Sequence, residues 1–375
     1  MSLFDVYPLY DVTPVKAKDV FVYDEKGVEY LDLYGGHAVI SIGHAHPEYV
    51  ANLYDQVQKI GFYSNAVQNP LQKELGERLP AFAKCDGYQL FMCNSGAEAN
   101  ENSLKLASFA TGRKKVVSFN NSFHGRTSAA VAATDNAKIV APINAQQEVA
   151  FLALGDLEAL ENELSKEDIC AVILEFIQGV GGLDESTAAF YEGVDALCKK
   201  YGTMLIADEV QAGFGRTGAF FAFQEYNIEP EIIAIAKGMG NGFPVGGILI
   251  HPSIKPEYGM LGTTFGGNHL ACRAALTVLD VLEKENLMEH ARIMSEYFFA
   301  KAEHIPQVKK IKGRGLMLGL EFDFEVGPMR KQLIYDHHIF TGSAKNKNLL
   351  RILPPLTVKK AHFDRFFEAL EQVLK

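Results

Sequence analysis

The sequence predicts an α/β protein with a mostly parallel seven-stranded sheet and helices on both faces. Short apolar runs, rich in valine, isoleucine and leucine, alternate with amphipathic stretches along the centre of the chain. These runs lack the polar alternation of strands that face water on one side, so they suit strands covered on both faces. Alternating strands and helices are typical of a parallel sheet. The candidate strands are 88–92, 115–119, 149–154, 171–176, 204–208, 232–235 and 246–250, and the helices between them include 97–110, 156–164 and 187–201.

The two ends of the chain predict a smaller α+β domain. Residues 18–34 form a candidate hairpin with its turn at 25–27. We expect residues 1–45 to join a small domain of residues 256–375, and residues 46–255 to form a large domain. The C-terminal candidates are two helices within 268–303, strands near 316–322, 338–341 and 349–353, and a helix near 359–374.

Length and charge exclude several classes of protein. At 375 residues the chain is long enough for two domains and for a core that needs no disulfide or metal staple. Its 36 basic and 46 acidic side chains give a formal net charge of −10. Nucleic-acid binding needs a basic stripe, and no basic cluster here is interleaved with aromatic residues, so we expect no nucleic-acid partner.

The cysteines and the N-terminus indicate a cytoplasmic protein. Five cysteines occur without a Cys-x-x-Cys pair, which favours reduced thiols over a disulfide framework. Residues 1–11 show no signal-peptide pattern, and no apolar run approaches the ~18 residues that a membrane span needs. We expect a cytoplasmic location and no membrane association.

Three segments at the ends of predicted strands carry candidate chemistry. Asn94-Ser95-Gly96-Ala97 opens a helix, where free N–H groups at the positive end of the dipole suit an anion; a simple helix cap is the alternative. Asp208 ends an apolar strand before a glycine-rich loop, where it either faces a cationic nitrogen or caps a helix. Lys237 ends another apolar run. Desolvation there lowers the pKa of the amine and makes it more nucleophilic, unless the side chain simply extends to solvent.

Together these three features fit pyridoxal phosphate. This cofactor carries a phosphate, a ring nitrogen that binds a carboxylate, and an aldehyde that forms a Schiff base with lysine. A nicotinamide cofactor fits less well, because Gly313-Arg314-Gly315 and Gly179-Val180-Gly181-Gly182 lack the last glycine of the dinucleotide fingerprint. The His44-x-His46 pair has no further ligand nearby, so we expect no metal site.

Ordered motifs are spread along nearly the whole chain. They are Tyr30-Leu31-Asp32, Gly43-His44-Ala45-His46-Pro47, Ser95-Gly96-Ala97-Glu98-Ala99, Ser122-Phe123-His124-Gly125-Arg126-Thr127, Asp208-Glu209-Val210-Gln211, Ala236-Lys237-Gly238, Thr264-Phe265-Gly266-Gly267-Asn268, and Arg351 before Pro354-Pro355. With these motifs the sequence resembles the class III pyridoxal-phosphate aminotransferases, most of all the acetylornithine and succinylornithine aminotransferase group. The resemblance implies the fold of type I PLP-dependent transferases and a homodimer with shared active sites.

The resemblance implies a role for each residue of the cofactor site. Lys237 carries the cofactor as a Schiff base and moves a proton during the reaction, while Asp208 pairs with the pyridine nitrogen. Val210 and Phe123 cover the two faces of the ring, and Gln211 reaches its phenolic oxygen. The phosphate is bound by Ser95, Gly96 and Ala97 and, across the dimer interface, by Thr264.

The resemblance also implies three substrate-binding residues. Arg126 binds the substrate carboxylate distant from the reacting amine, and Arg351 binds the α-carboxylate of glutamate or 2-oxoglutarate. Arginine suits both tasks because its planar guanidinium grips a carboxylate with two hydrogen bonds. Tyr7 lies near the N-terminal tyrosine with which the family contacts its substrate.

Val180 departs from the family pattern. Relatives read Glu-Pro-x-Gln-Gly-Glu where this chain reads Glu175-Phe176-Ile177-Gln178-Gly179-Val180. In relatives the second glutamate pairs with the arginine matching Arg351 while a donor without a carboxylate there is bound. Val180 cannot form that pair, which motivates the hypothesis that the substrate carries an extra carboxylate, as N-succinylornithine does. His37 and His269 differ from the family as well, and each either lines the site entrance or has a structural role.

The function implied by the resemblance is transfer of the δ-amino group of N-acetyl- or N-succinylornithine to 2-oxoglutarate, in arginine biosynthesis. The products are the N-acylglutamate semialdehyde and glutamate. Alternative donors within the family are ornithine, 4-aminobutyrate, acetyllysine and succinyldiaminopimelate. An aminomutase would retain its amino group and need no 2-oxoglutarate. A ligand-sensing module would have lost Lys237 or Asp208 or gained a DNA-binding domain, and the sequence shows neither.

Overall fold

The structure, a computed structural model, describes residues 3–375. Within this part of the chain, fourteen strands and eleven helices are present. The strands are β1 (Pro14–Lys18), β2 (Phe21–Asp24), β3 (Glu29–Asp32), β4 (Gln89–Cys93), β5 (Lys115–Phe119), β6 (Val149–Leu152), β7 (Ile169–Leu174), β8 (Met204–Asp208), β9 (Ile232–Ile235), β10 (Gly246–Ile250), β11 (Lys310–Arg314), β12 (Met317–Glu321), β13 (Ile339–Phe340) and β14 (Leu349–Ile352). The helices are α1 (Gly35–Ala38), α2 (Pro47–Lys59), α3 (Pro70–Phe82), α4 (Gly96–Thr111), α5 (Ser128–Ala132), α6 (Leu157–Leu164), α7 (Ala188–Tyr201), α8 (His269–Lys284), α9 (Leu287–Ala302), α10 (Gly327–Tyr335) and α11 (Lys360–Val373).

A seven-stranded sheet in the order β4-β10-β9-β8-β7-β5-β6 forms the centre of the molecule, which confirms the predicted fold class. The strands are parallel except β10, which runs antiparallel to both of its neighbours. The segment between β9 and β10 is too short for the helical crossover that a parallel pair requires, so the chain turns back on itself. Every residue of β7 and β9 is buried, as the continuous apolar runs predict.

Helix α4 illustrates how local sequence sets the element bounds. The Ser95 hydroxyl caps its first turn by accepting a hydrogen bond from Glu98 N at 3.2 Å. The helix ends at Gly112, whose φ of 70° is a left-handed value that favours glycine. Helices α2 and α3 were not predicted from the sequence. Each begins at a proline, which is a favourable first residue of a helix, but Pro80 lies inside α3, where a proline usually interrupts the helical pattern.

The two chain ends meet in a second region. β3 pairs in parallel with β13, so the N-terminal hairpin and the C-terminal part share the sheet β1-β2-β3-β13. A third sheet, β11-β12-β14, is antiparallel. This agrees with the expected small α+β region, while the boundaries at residues 45 and 255 stay a prediction.

Two further findings concern the cysteines and the predicted absence of a membrane span. All five cysteines are buried and free of disulfides. Within residues 3–375, no helix combines the length and the apolar character that crossing a bilayer requires.

Candidate active site

A cavity of about 340 Å³ lies where the parallel strands end. Segments that follow β4, β5, β7, β8 and β9 all contribute to its wall, which is the usual position of a ligand site in an α/β sheet. Most of the predicted site residues therefore come together here. They are Ser95, Gly96, Ala97, Phe123, Arg126, Val180, Asp208, Val210, Gln211 and Lys237.

The start of α4 forms an anion-binding end of this cavity. Gly96 and Ala97 are the first residues of the helix, so their N–H groups have no partner within it. A side chain at Gly96 would collide with Val210, because a Cβ atom there would lie 2.5 Å from Cγ1 of Val210. Glycine at position 96 therefore allows the start of α4 and the Val210 side chain to lie close together at the cavity.

Asp208 is a buried carboxylate at the end of β8. Its Oδ2 accepts a hydrogen bond from Asn100 Nδ2 at 2.7 Å and lies 2.7 Å from His124 Nδ1. Its Oδ1 accepts from Val210 N at 3.1 Å. Asn100 Nδ2 also donates to the His124 carbonyl at 2.7 Å, so helix α4 and the loop after β5 hold the carboxylate together. A charge fixed in this way suits a cationic ring nitrogen.

Asn100 and His124 are two candidate site residues that were not predicted from the sequence. Both side chains are buried, with 1% and 2% of their surface exposed. Asn100 Oδ1 and His124 Nε2 have no hydrogen-bond partner among the described residues. A signal was present in the sequence, since an asparagine on the apolar side of α4 and a histidine within the Ser122–Thr127 motif are polar groups that require a partner.

Lys237 follows β9 and is only partly exposed. Its φ of 45° is a left-handed value that a lysine rarely adopts, and such strained backbone is concentrated at functional sites. Burial lowers the pKa of the Lys237 ammonium below its usual value, although the nearby Asp208 and Glu175 carboxylates act in the opposite direction. Burial therefore shifts this amine towards its neutral, nucleophilic form.

Arg351 is buried on β14, and its partners are uncharged. Nη1 donates to the carbonyl of Gly179 at 2.6 Å and to Oε1 of Gln211 at 3.2 Å. Nε donates to the carbonyl of Ser343 at 2.5 Å. Among the hydrogen bonds and ion pairs of residues 3–375, none joins Arg351 to a carboxylate, and the adjacent cavity wall is the aliphatic Val180. A buried guanidinium without an acidic partner is ready to bind an anionic substrate.

Arg126 occupies the rim of the same cavity. It is exposed, and no ion pair within the described part of the chain involves it. Arg126 thus lies in the cavity wall and is open to solvent, whereas Arg351 is buried behind the wall, against Gln211.

Besides Arg351, four other predicted residues lie outside the cavity wall. Tyr7 is 73% exposed in the N-terminal segment, and Thr264 is exposed in the loop before α8. His37 is exposed with a φ of 69°, and its ring contacts the hydroxyl of Tyr34. His269 is the first residue of α8, where its Nδ1 is buried. Within one chain the structure therefore does not bring Tyr7 and Thr264 to the site.

Each histidine of the His44-x-His46 pair lies within hydrogen-bond distance of a carboxylate of the chain. His44 Nε2 lies 2.8 Å from Asp32, and His46 Nε2 lies 2.9 Å from Glu285. Residues 3–375 contain no group of three or more side chains that could hold a metal ion.

Comparison with known proteins identifies the family. The model of the family described as Aminotransferase class-III matches residues 6–374. The chain belongs to the class III aminotransferases. It is 38% identical to the acetylornithine aminotransferase of Aquifex aeolicus, covering 99% of both chains. It is also 38% identical to that of Bacillus subtilis, covering 100% of this chain and 97% of the relative. The ornithine aminotransferase of Toxoplasma gondii superposes with a TM-score of 0.92 at 26% identity, over 100% of this chain and 93% of that chain.

A class III aminotransferase is a PLP-dependent transaminase, and the cavity fits this cofactor. The free N–H groups at the start of α4 suit the phosphate, and buried Asp208 suits the ring nitrogen. Phe123 and Val210 supply apolar surfaces for the ring, and Lys237 supplies the amine for the aldehyde. A second structure of the Toxoplasma enzyme is described as having partial occupancy of PLP at its active site, and it has a TM-score of 0.89 at 26% identity.

Proposed function

We propose that this protein transfers the δ-amino group of an N-acylornithine to 2-oxoglutarate, giving the N-acylglutamate semialdehyde and glutamate in arginine biosynthesis. One observation carries the proposal: a single cavity is lined by Lys237, Asp208 and Arg126, and a second arginine, Arg351, is hydrogen-bonded to Gln211 of its wall. Neither arginine has an acidic partner among the described residues. Relatives named acetylornithine aminotransferase at 36–38% identity over nearly the full length support the choice of donor.

The site residues divide the chemical work. When bound, pyridoxal phosphate supplies an aldehyde that takes up an amine and a ring that stores the electron pair released at the neighbouring carbon. Asp208 keeps the ring nitrogen protonated, since Asn100 and His124 hold the carboxylate next to it. With the cofactor bound, the Lys237 amine would be the group that accepts a proton from the substrate carbon bearing the nitrogen and donates it back. We assign the ring's phenolic oxygen to the amide of Gln211.

The arginines select the substrates. We assign the donor's distal carboxylate to exposed Arg126 and the α-carboxylate of glutamate or 2-oxoglutarate to buried Arg351. Val180 leaves Arg351 without a carboxylate partner from the described residues. This observation favours a donor with an extra carboxylate, so N-succinylornithine is the second candidate beside N-acetylornithine.

A donor panel tests both candidates. Acetylornithine, succinylornithine, ornithine and 4-aminobutyrate are each offered with 2-oxoglutarate, and glutamate formation is measured. We expect an acylated ornithine to have the highest kcat/KM. If succinylornithine is no better than acetylornithine, the extra-carboxylate hypothesis is wrong. Amino transfer from neither would contradict the proposed function, and product formation without 2-oxoglutarate would indicate an aminomutase.

We also propose a cytoplasmic homodimer with shared active sites. Val50, Tyr54 and Val57 are exposed at 51%, 65% and 55% on one face of α2. The rings of Phe62 and Phe265, also exposed, lie 5.4 Å apart next to the loop of Thr264. Exposed apolar patches of this kind mark interaction surfaces, and a second copy would bring Thr264 to its cofactor site. The five buried free thiols support a reducing compartment.

Light scattering after size-exclusion chromatography tests the dimer. Phe265→Asp should yield monomers that lose activity, because a charge then replaces an apolar contact. Ile293→Asp, at a position 44% exposed on α9, is the matched control and should stay dimeric. A monomeric wild-type enzyme with full activity would overturn this part of the proposal.

A further inference from the structure

Glu175 connects two loops of the active site. It follows β7, is 6% exposed and lies in the cavity wall. Its Oε1 accepts a hydrogen bond from Phe123 N at 2.9 Å, and its Oε2 accepts from Gly179 N at 2.8 Å. The two carboxylate oxygens therefore each fix one loop: the loop after β5 and the loop after β7.

These two loops carry different parts of the site. Phe123 lines the cavity, and the next residue, His124, lies against Asp208 at 2.7 Å. The Gly179 carbonyl accepts a hydrogen bond from Arg351 Nη1 at 2.6 Å, and the Val180 carbonyl accepts one from Lys345 N at 2.8 Å. Moving Gly179 would consequently move the acceptor that orients Arg351.

Glu209 provides an internal comparison. It is also fully buried, and its two oxygens accept hydrogen bonds from Ala222 N and Phe223 N, both at 2.9 Å. Burial raises the pKa of Glu175 and of Glu209 to about 7. Glu209 is absent from the cavity wall, whereas Glu175 belongs to it. Both glutamates are thus buried and accept two backbone hydrogen bonds, but only the segments bound by Glu175 belong to the active site.

We propose that Glu175 is a positioning residue. Its two hydrogen bonds hold the cofactor subsite and the carboxylate subsite of Arg351 in a fixed position relative to each other. The inference rests on the proposed function, because it assigns the cofactor ring to Phe123 and 2-oxoglutarate to Arg351. It adds that the Glu175 carboxylate determines both the affinity for the cofactor and the affinity for 2-oxoglutarate. Arg126 makes no hydrogen bond with Glu175 and lies three residues beyond Phe123, so we expect binding of the donor's distal carboxylate to depend on Glu175 less than binding of the cofactor does.

Glu175→Gln tests the proposal with Glu209→Gln as its matched control. Glutamine keeps the shape but replaces one acceptor oxygen by a donor, so only one of the two amides stays bonded. The cofactor dissociation constant of the apoenzyme is measured by titration. KM values for 2-oxoglutarate and for the acylornithine are then measured at saturating cofactor, together with Tm.

In Glu175→Gln we expect the cofactor dissociation constant and the KM for 2-oxoglutarate each to rise roughly tenfold, as loss of one charged hydrogen bond implies. The KM for the donor should stay within about twofold. Glu209→Gln should change Tm but leave all three constants within about twofold, since its amides lie outside the site. Equal constants in the two variants would overturn the proposal, whereas an inactive wild-type enzyme would instead contradict the proposed function.

Glu175→Asp covers the case in which Glu175→Gln does not fold. It keeps the charge but is one methylene shorter, so it cannot reach both amides, and the same rise in both constants is expected. If neither variant folds while Glu209→Gln does, Glu175 serves the stability of the fold and the positioning role is wrong.

Discussion

Arg351 donates a hydrogen bond to the side-chain oxygen of Gln211, at 3.2 Å, and has no carboxylate partner among the described residues. An amide acceptor satisfies the guanidinium without neutralising its charge. Arg351 can therefore bind an anionic substrate at any time, and no acidic side chain has to move away from it first.

Val180→Glu tests this consequence. The new carboxylate would lie next to Gly179, whose carbonyl already contacts Arg351, and should form an ion pair with it. We expect the KM for 2-oxoglutarate to rise at least roughly tenfold, because the substrate must displace that pair. Steady-state kinetics with both substrates measure the effect, and Val180→Gln controls for size. An unchanged KM for 2-oxoglutarate would show that Arg351 does not bind it.

Lys237→Ala should abolish catalysis and covalent attachment of the cofactor together. The variant lacks the only amine that the cavity wall supplies within residues 3–375. The absorbance band of the lysine-bound cofactor near the visible should disappear, and kcat should fall at least about 10²–10⁴-fold. Lys237→Arg keeps a long basic side chain but not the nucleophilic amine, and it should behave in the same way. Retention of the band in either variant contradicts the assignment.

Asp208→Ala should separate cofactor attachment from turnover. Lys237 remains, so the absorbance band of the lysine-bound cofactor should persist. The ring nitrogen loses its carboxylate, and we expect kcat to fall about 10²–10⁴-fold. Asp208→Asn tests charge apart from shape, because its amide can still contact Asn100 and His124. Near-normal turnover in both variants would exclude a role for the charge.

The buried carboxyl of Glu209 makes stability depend on pH. Burial raises its pKa from 4.5 to about 7, so between these values the folded state binds a proton that the unfolded state has lost. This contribution is complete below pH 4.5 and is lost as the pH rises through about 7. Glu209→Gln should therefore reduce the fall in unfolding free energy between pH 5 and pH 8 by about 3 kcal/mol.

Denaturant titrations at the two pH values measure that difference. Glu225→Gln, at an exposed position in the same segment, is the control and should leave the pH dependence of wild type unchanged. If Glu209→Gln also leaves it unchanged, the glutamate is ionised in the folded state at pH 5.

The sequence predicted the site residues that end apolar runs, but not those whose hydrogen-bond partners are distant in the sequence. Asp208 and Lys237 could be placed because the carboxyl ends of parallel strands meet at one edge of the sheet. Glu175 and Asn100 could not, since their partners lie 52 and 108 residues away and depend on the register of β5, β7 and β8. Tyr7 and Thr264 lie outside the cavity of a single chain, so their roles stay predictions.

The pairing of β3 with β13 has a consequence for the order in which the protein folds during its synthesis. The hydroxyl of Thr357 donates to Asp19 across 338 residues of chain, and Leu31 pairs with Ile339. The N-terminal hairpin is synthesised before β13, so it must wait for this neighbouring strand until the central sheet and most of the C-terminal region have been made. The central sheet, whose strands all lie between residues 89 and 250, can form in the meantime. The slow step in folding should thus be the docking of the chain ends.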